Sequence, residues 1–372
     1  MNEAKDLEAL EMLWFCQLAS DNEFLGAGGG RRPTLEYLSS LVETAAEMGF
    51  ESLLTATNYH AIHETWTVSM ATLARTRGAG LLVAVRPGMF HPAIFAKMVS
   101  TAANLFPGRV QLNIVTGSNP AENAMYGDFE DHDTRYARTR EFTSLLLRLW
   151  NEPQVSHSSD LYRFEGAIVE PKPRSPVPIY LGGHSRQAQR IAAEFADVYL
   201  LWGDTLPVIE SRLESMREHL KETGRAVRFG LRCHVIVRET EAEAWQAAER
   251  LISRIDPAVR GNFVEATARV DSEGQQRQAA LAASPSLVVE PNLWAGIGLA
   301  RSGVAVAIVG NPNQVAAKLR AYQSLGVSTF ILSGYPHWEE CRRFGELVMP
   351  LLRRSRSSAL GATSSAGVAP VN

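Results

Sequence analysis

The sequence predicts an α/β protein: a closed (β/α)8 TIM barrel with an insertion between its seventh and eighth strands. Three observations lead there. Short apolar runs alternate with amphipathic helical patterns along the chain, eight such runs can be counted, and the first strand-to-helix turn lacks the G-x-G-x-x-G of an open dinucleotide-binding sheet. Continuous apolar strands are buried on both faces, and eight of them close on themselves without an edge.

The elements follow in order. MLWFCQLA (12–19) precedes a helical LEYLSSLVETAAEMG (35–49), and ESLLTAT (51–57) makes the second strand. LLVAVRP (81–87) leads to a helix near 92–105, VQLNIVTG (110–117) to one near 134–150, and PIYLGG (178–183) to one near 185–194. ADVYLLWG (196–203) precedes a helix near 207–222, RFGLRCHVIVRE (228–239) a helix near 241–253, and STFILSG (328–334) is the eighth strand. GAGGGRR (26–32) stands before Pro33 and Thr34 and reads as a flexible connection rather than a phosphate cradle. Almost ninety residues separate the last two strands, and about 255–290, rich in Ala, Ser, Gln and Arg, is expected to be a mobile lid near the active-site mouth. Residues 1–354 are read as one domain and 355–372, poor in large apolar residues, as a disordered tail.

Composition narrows the function. The 37 Lys and Arg against 40 Asp and Glu, a net charge of -3 with no long basic run, argue against nucleic acid as a partner. Cys16, Cys233 and Cys341 show no C-x-x-C spacing, so neither a disulfide framework nor a metal site is expected. The acidic N-terminus has no signal-peptide or membrane-span pattern, and a cytoplasmic location away from membranes is expected.

In such a barrel the strand C-termini build the active site. These ends read Gln17, TNYHAIHETW (57–66), Arg86, NIVTGSNP (113–120), GGHS (182–185), Trp202, RCH (232–234) and SGYPH (333–337). On a strand, Arg232 and His234 share a face and Cys233 takes the other. A buried arginine needs an anion, a polar pocket or a carboxylate partner. GGHSRQAQR is either an anion cradle to which Ser185 adds a hydroxyl, or a tight turn with Ser185 as helix cap. In EDHDTRYARTREF (130–142), Asp133 is read as an N-cap, with His132, Arg135 and Tyr136 facing either a ligand or solvent.

The segments NIVTGSNPAE, DHDTRY, FGLRCHVIVRETEAEAWQAAERLI, DSEGQQR, PNLWAGIGLARSG and LSGYPHWEE occur in this order. Together they resemble the flavin-dependent alkanesulfonate monooxygenases of the bacterial luciferase-like superfamily, over roughly residues 10 to 350. The resemblance implies a barrel that takes reduced FMN from a separate NAD(P)H-dependent flavin reductase, uses O2, and converts a small organosulfonate to sulfite and an aldehyde. It implies that Thr116, Tyr136, Gly183, His184 and Ser185 hold the flavin, that Trp202, Arg232, His234, Arg301 and Tyr335 line the reaction pocket, and that the chain is a homodimer or homotetramer. The chain departs from the family where substrate is chosen. QLASDN (17–22) replaces a T-H-G-D-like stretch, and TNYHAIHETW lacks the usual cysteine. His60 and His63 in that loop are either ordinary loop residues or substrate ligands. A sulfone, an amine or a heteroaromatic acid is the alternative substrate; a deazaflavin-dependent dehydrogenase and a non-catalytic flavin binder are the rival classes.

Overall fold

The computed structural model describes residues 10–256 and 270–353. Part of the expected lid, 257–269, and the whole expected tail lie outside the described residues.

The strands are β1 (Glu11–Cys16), β2 (Ser52–Thr55), β3 (Gly80–Val85), β4 (Val110–Ile114), β5 (Val155–Ser158), β6 (Arg163–Ala167), β7 (Ile179–Gly182), β8 (Val198–Trp202), β9 (Arg228–Val237), β10 (Val288–Glu290), β11 (Leu293–Trp294), β12 (Ala307–Gly310) and β13 (Val327–Ser333). The helices are α1 (Leu35–Met48), α2 (Thr65–Arg75), α3 (Pro92–Leu105), α4 (Pro120–Met125), α5 (His132–Asn151), α6 (Arg186–Phe195), α7 (Leu206–Thr223), α8 (Glu241–Ile252), α9 (Glu273–Ala282), α10 (Pro312–Ser324) and α11 (His337–Leu347). Strands β1, β2, β3, β4, β7, β8, β9 and β13 pair in parallel in that order, and β13 returns to β1. The result is a closed (β/α)8 barrel, and its eight staves are the eight apolar runs of the sequence.

Side-chain alternation separates two cores. Leu13, Phe15, Leu54, Leu82, Tyr180, Leu200 and Ile331 form one buried cluster. Their strand neighbours Trp14, Cys16, Leu53, Leu81 and Leu201 join the apolar faces of the surrounding helices in the main core. Period-2 alternation places the first set inside the ring and the second outside.

Strand β9 is longer than its neighbours, and its edge is shared. Residues Arg228 to Arg232 pair with β8, whereas His234 to Val237 pair with β12, the inner strand of a flap whose outer strands β11 and β10 run antiparallel. The hand-over takes one residue: Gly203 N donates to Arg232 O, and His234 N donates to Val306 O. The ring wall therefore forks beside Arg232.

Four expectations change. Strand β1 ends at Cys16, leaving Gln17 to Ala19 in the following loop. The N-cap of α5 is Asp131, whose side chain accepts from Thr134 N, while Asp133 lies exposed in the first turn; a capping carboxylate must precede the helix to reach its third amide. The β5/β6 hairpin and β12 were not anticipated, the first because VSHS and RFEGA lack an apolar run, the second because AIVG was passed over inside the long insertion. Within the expected lid, 273–282 is a regular helix whose side chains bond to the barrel rim, as described below. No helix among the described residues is long and apolar enough to cross a membrane.

Candidate active site

Two adjoining cavities open at the C-terminal ends of the strands. The inner one, about 230 Å3, has apolar walls from Leu54, Ile114, Val115, Leu200, Trp202 and Ile331, with Thr116, Tyr136, His184, Ser272 and Arg232 among its polar groups. The outer one, about 320 Å3, shares Tyr136, Gly183 and His184 with it and adds Ser185 and Arg186 at the start of α6. Flat apolar walls beside a helix N-terminus suit an aromatic ring system carrying an anionic tail.

Local geometry keeps that tail position open. Gly183 has φ 146°, and a Cβ there would lie 2.4 Å from Ala188 Cβ. Only glycine fits. Ser185 serves as the N-cap of α6, accepting from Ala188 N at 3.2 Å, so the cap reading holds while the residue also lines the outer cavity. His184 packs 6.0 Å from Trp202 with its Nδ1 buried and without a protein partner, and burial pushes its pKa down to about 4. Of the three α5 candidates, His132 and Tyr136 line the cavities. Arg135 does not: it donates to Gly117 O and Glu130 O and pairs with Asp271 at 2.5 Å.

The opposite wall carries the charge. Arg232 is buried and lines the inner cavity, with its guanidinium 4.7 Å from the Phe15 ring centre. Arg301, carried by the flap's loop, lies over the same ring at 5.1 Å. Neither arginine has a carboxylate partner among the described residues, so the structural ion pair considered from sequence is not found there. Arg232 instead donates to Cys233 O and to Ser333 Oγ at 2.8 Å. Burial, then the Arg301 charge, push its pKa down to about 9. A guanidinium stays protonated at neutral pH even so, and the shift reports an unneutralised cation that a bound anion would relieve.

His234 links the two cations. Ser333 Oγ lies 2.7 Å from its Nδ1 and Arg301 Nη1 lies 2.9 Å from its Nε2. Tyr335 stacks on the imidazole at 5.6 Å, and its hydroxyl is buried without a protein partner. Behind it, His337 meets the Tyr335 ring edge-on at 4.9 Å and its Nε2 lies 2.8 Å from Gln17 Oε1. Burial holds the pKa values of His234 and His337 well below the ordinary imidazole value and raises that of Tyr335.

His60 and His63 lie elsewhere. His60 is exposed beside Tyr59, and His63 Nε2 donates to Pro33 O, 2.8 Å away, on the wall of a separate cavity with Tyr59, Met89 and Tyr126. Sequence reasoning did not single out Phe15 in β1 or Ser272 and Gly274 on the lid, while Asn113 opens the NIVTGSNP strand end it did name. Phe15 had a signal, since its alternation with Trp14 and Cys16 turns it inward; Ser272 and Gly274 lie in DSEGQQR, one of the segments that carry the resemblance, but nothing local marks them as cavity lining.

Helix α9 roofs the site. Gln275 Oε1 accepts from Gly303 N at 2.8 Å; Gln278 donates to Gly203 O at 2.9 Å and accepts from Ala305 N at 2.7 Å; Arg277 grips buried Asp204 through two bonds of 2.7 and 2.8 Å.

A family model described as luciferase-like monooxygenase matches residues 10–329. The chain belongs to the luciferase-like monooxygenase family. Solved structures agree on the fold of this family member. EDTA monooxygenase (EmoA) from Chelativorans sp. BNC1 is similar over 94% of this chain and 94% of its own, at 19% identity and a TM-score of 0.76. The oxygenating constituent of 3,6-diketocamphane monooxygenase from the CAM plasmid of Pseudomonas putida, a type II Baeyer-Villiger monooxygenase in complex with FMN, matches 92% of this chain and 99% of its own, at 16% identity and a TM-score of 0.67. The coenzyme F420 dependent tetrahydromethanopterin reductase from Methanopyrus kandleri matches 93% and 100%, at 18% identity and a TM-score of 0.67. At such identities the likeness concerns the fold alone.

Proposed function

We propose that this chain is a two-component monooxygenase. It would use O2 and reduced FMN, supplied by an NAD(P)H-dependent flavin reductase, to oxygenate a small anionic organosulfur compound, in the manner of an alkanesulfonate monooxygenase, and it would work as a homodimer or homotetramer. One observation supports a negative substrate charge: Arg232 and Arg301 both lie over Phe15 with no carboxylate partner among the described residues. A buried cation, Arg232, and a half-buried one, Arg301, neither paired with a carboxylate among the described residues, would be stabilised by an anionic head group.

The cavities fit the cofactor. Thr116, Tyr136 and Trp202 would frame the ring, and Gly183, His184 and Ser185 would receive the phosphate at the start of α6. Bound FMN supplies the two-electron chemistry toward O2. The chain's own residues do the rest: Arg232 and Arg301 hold the head group and stabilise negative charge, while the apolar walls and α9 exclude water. Tyr335, its phenol kept protonated by burial, holds a proton at Oη for donation. The altered loops after β1 and β2 support a substrate other than a plain short alkanesulfonate.

Anaerobic titration with reduced FMN, followed by a substrate screen with reductase, NAD(P)H and O2, tests the reading. Tight binding of reduced FMN is expected, with sulfite released from simple alkanesulfonates at kcat/KM at least about tenfold below that of the preferred substrate. Binding of a reduced deazaflavin but not of reduced FMN would replace the monooxygenase with a dehydrogenase. Efficient desulfonation of short alkanesulfonates would restore the plain family substrate.

A further inference from the structure

The contacts around His234 constrain where its ring proton sits. A guanidinium has only donors. Arg301 Nη1, 2.9 Å from His234 Nε2, therefore requires a lone pair at Nε2. A neutral ring with a bare Nε2 carries its proton at Nδ1, where Ser333 Oγ stands 2.7 Å away as acceptor. Ser333 Oγ also accepts from Arg232 Nη2 at 2.8 Å, so both of its lone pairs are used. The opposite tautomer would set an imidazole N–H against an Arg301 N–H.

We propose that Ser333 is a positioning residue for both substrate-binding arginines: its fully buried hydroxyl accepts from Arg232 Nη2 and from His234 Nδ1, fixing the tautomer whose Nε2 holds Arg301 in place. The ring wall and the flap would then deliver one cation each to a single hydroxyl-centred bracket. In this arrangement His234 carries no proton to the reaction; it is an acceptor for Arg301, and proton donation falls to Tyr335. The importance of the two arginines rests on the function proposed above, but the tautomer does not.

The groups facing His234 are Arg232, Arg301, Tyr335, His337, Ser333 and the Val304 carbonyl. Burial, Arg232, Arg301 and His337 oppose a positive imidazole, and Val304 favours a protonated ring nitrogen. Two-bond 15N–1H correlation spectra of the full chain labelled at histidine nitrogen distinguish the cases, with the His234 signal assigned by its loss in His234→Gln. The wild type should show a single neutral Nδ1–H form that does not titrate between about pH 6 and 8, where a free imidazole would. Ser333→Ala should lose that single-tautomer pattern, and Ser333→Thr, which keeps the hydroxyl, should retain it. An Nε2–H form in the wild type, or an unchanged Nδ1–H form in Ser333→Ala, overturns the proposal. If Ser333→Ala does not fold, Ser333→Cys replaces it: the weak sulfur acceptor should disturb the pattern that threonine preserves, and identical spectra for the two refute the bracket. These readings require no substrate, so they stand or fall separately from the activity screen.

Discussion

Arg232 is proposed to trade stability for binding. Its guanidinium is buried against Phe15 and hydrogen-bonded, but no carboxylate among the described residues neutralises it. Replacing an unpaired buried cation with an apolar side chain of similar length removes a desolvation cost. Arg232→Met should therefore melt no lower than the wild type in a thermal scan, while Arg232→Ala, still folded and still binding reduced FMN, should lose turnover by about a hundredfold or more. Lysine should restore little, because a point charge does not reproduce the planar fork. Near-normal turnover in the alanine variant would return Arg232 to a structural role. The residue-level pattern was legible for Arg232 and His234, because strand alternation alone puts both on one face. Ser333 was not, since its role depends on β13 lying beside β9 in a register that aligns Ser333 with His234. No local sequence feature encodes that register.

At the level of elements, α9 is the one whose character changed most between sequence and structure. Its weak apolar periodicity made the 255–290 stretch read as mobile, yet its inner face is held largely by amide side chains, with Gln275 and Gln278 buried against backbone groups and Leu281, its one leucine, in the core. Hydrophobic periodicity cannot register an interface of that kind. Gln278 satisfies Gly203 O and Ala305 N at once, one on the β8 end and one on the loop that carries Arg301. Gln278→Ala leaves both buried groups without their partner. It should lower stability by about 1 to 3 kcal/mol and raise KM for the anionic substrate more than it lowers kcat, because the Arg301 loop loosens. Chemical denaturation and steady-state kinetics check the two halves; an unchanged KM would show that the loop holds its place without the brace.

For the whole molecule, the barrel was readable because all eight staves are continuous apolar runs, and the flap was not because its strands are short and lie in a connection. The buried histidines give the folded chain a predictable response to acid. The pKa of His184 is pushed down to about 4, and those of His234 and His337 are also lowered, all chiefly by burial. A base with a depressed folded pKa contributes stability that is present above its unfolded value, about 6.5 for histidine, and is lost as pH falls toward the folded value. Unfolding free energy should therefore fall from about pH 6.5 downward, and His184→Gln should flatten the slope by about one proton, roughly 1.4 kcal/mol per pH unit. Asp21 and Glu340, whose pKa values burial raises, act in the opposite sense, relieving the folded state as they take up protons. Identical slopes for His184→Gln and the wild type would show that His184 is protonated in the folded state. The fork in β9 bears on inheritance. The flap attaches to a length of strand edge that the ring does not use, so rebuilding it breaks no ring hydrogen bond. Of the two arginines proposed to hold the substrate, Arg232 thus stands on the ring itself, and Arg301 on a segment that could be rebuilt without disturbing the ring.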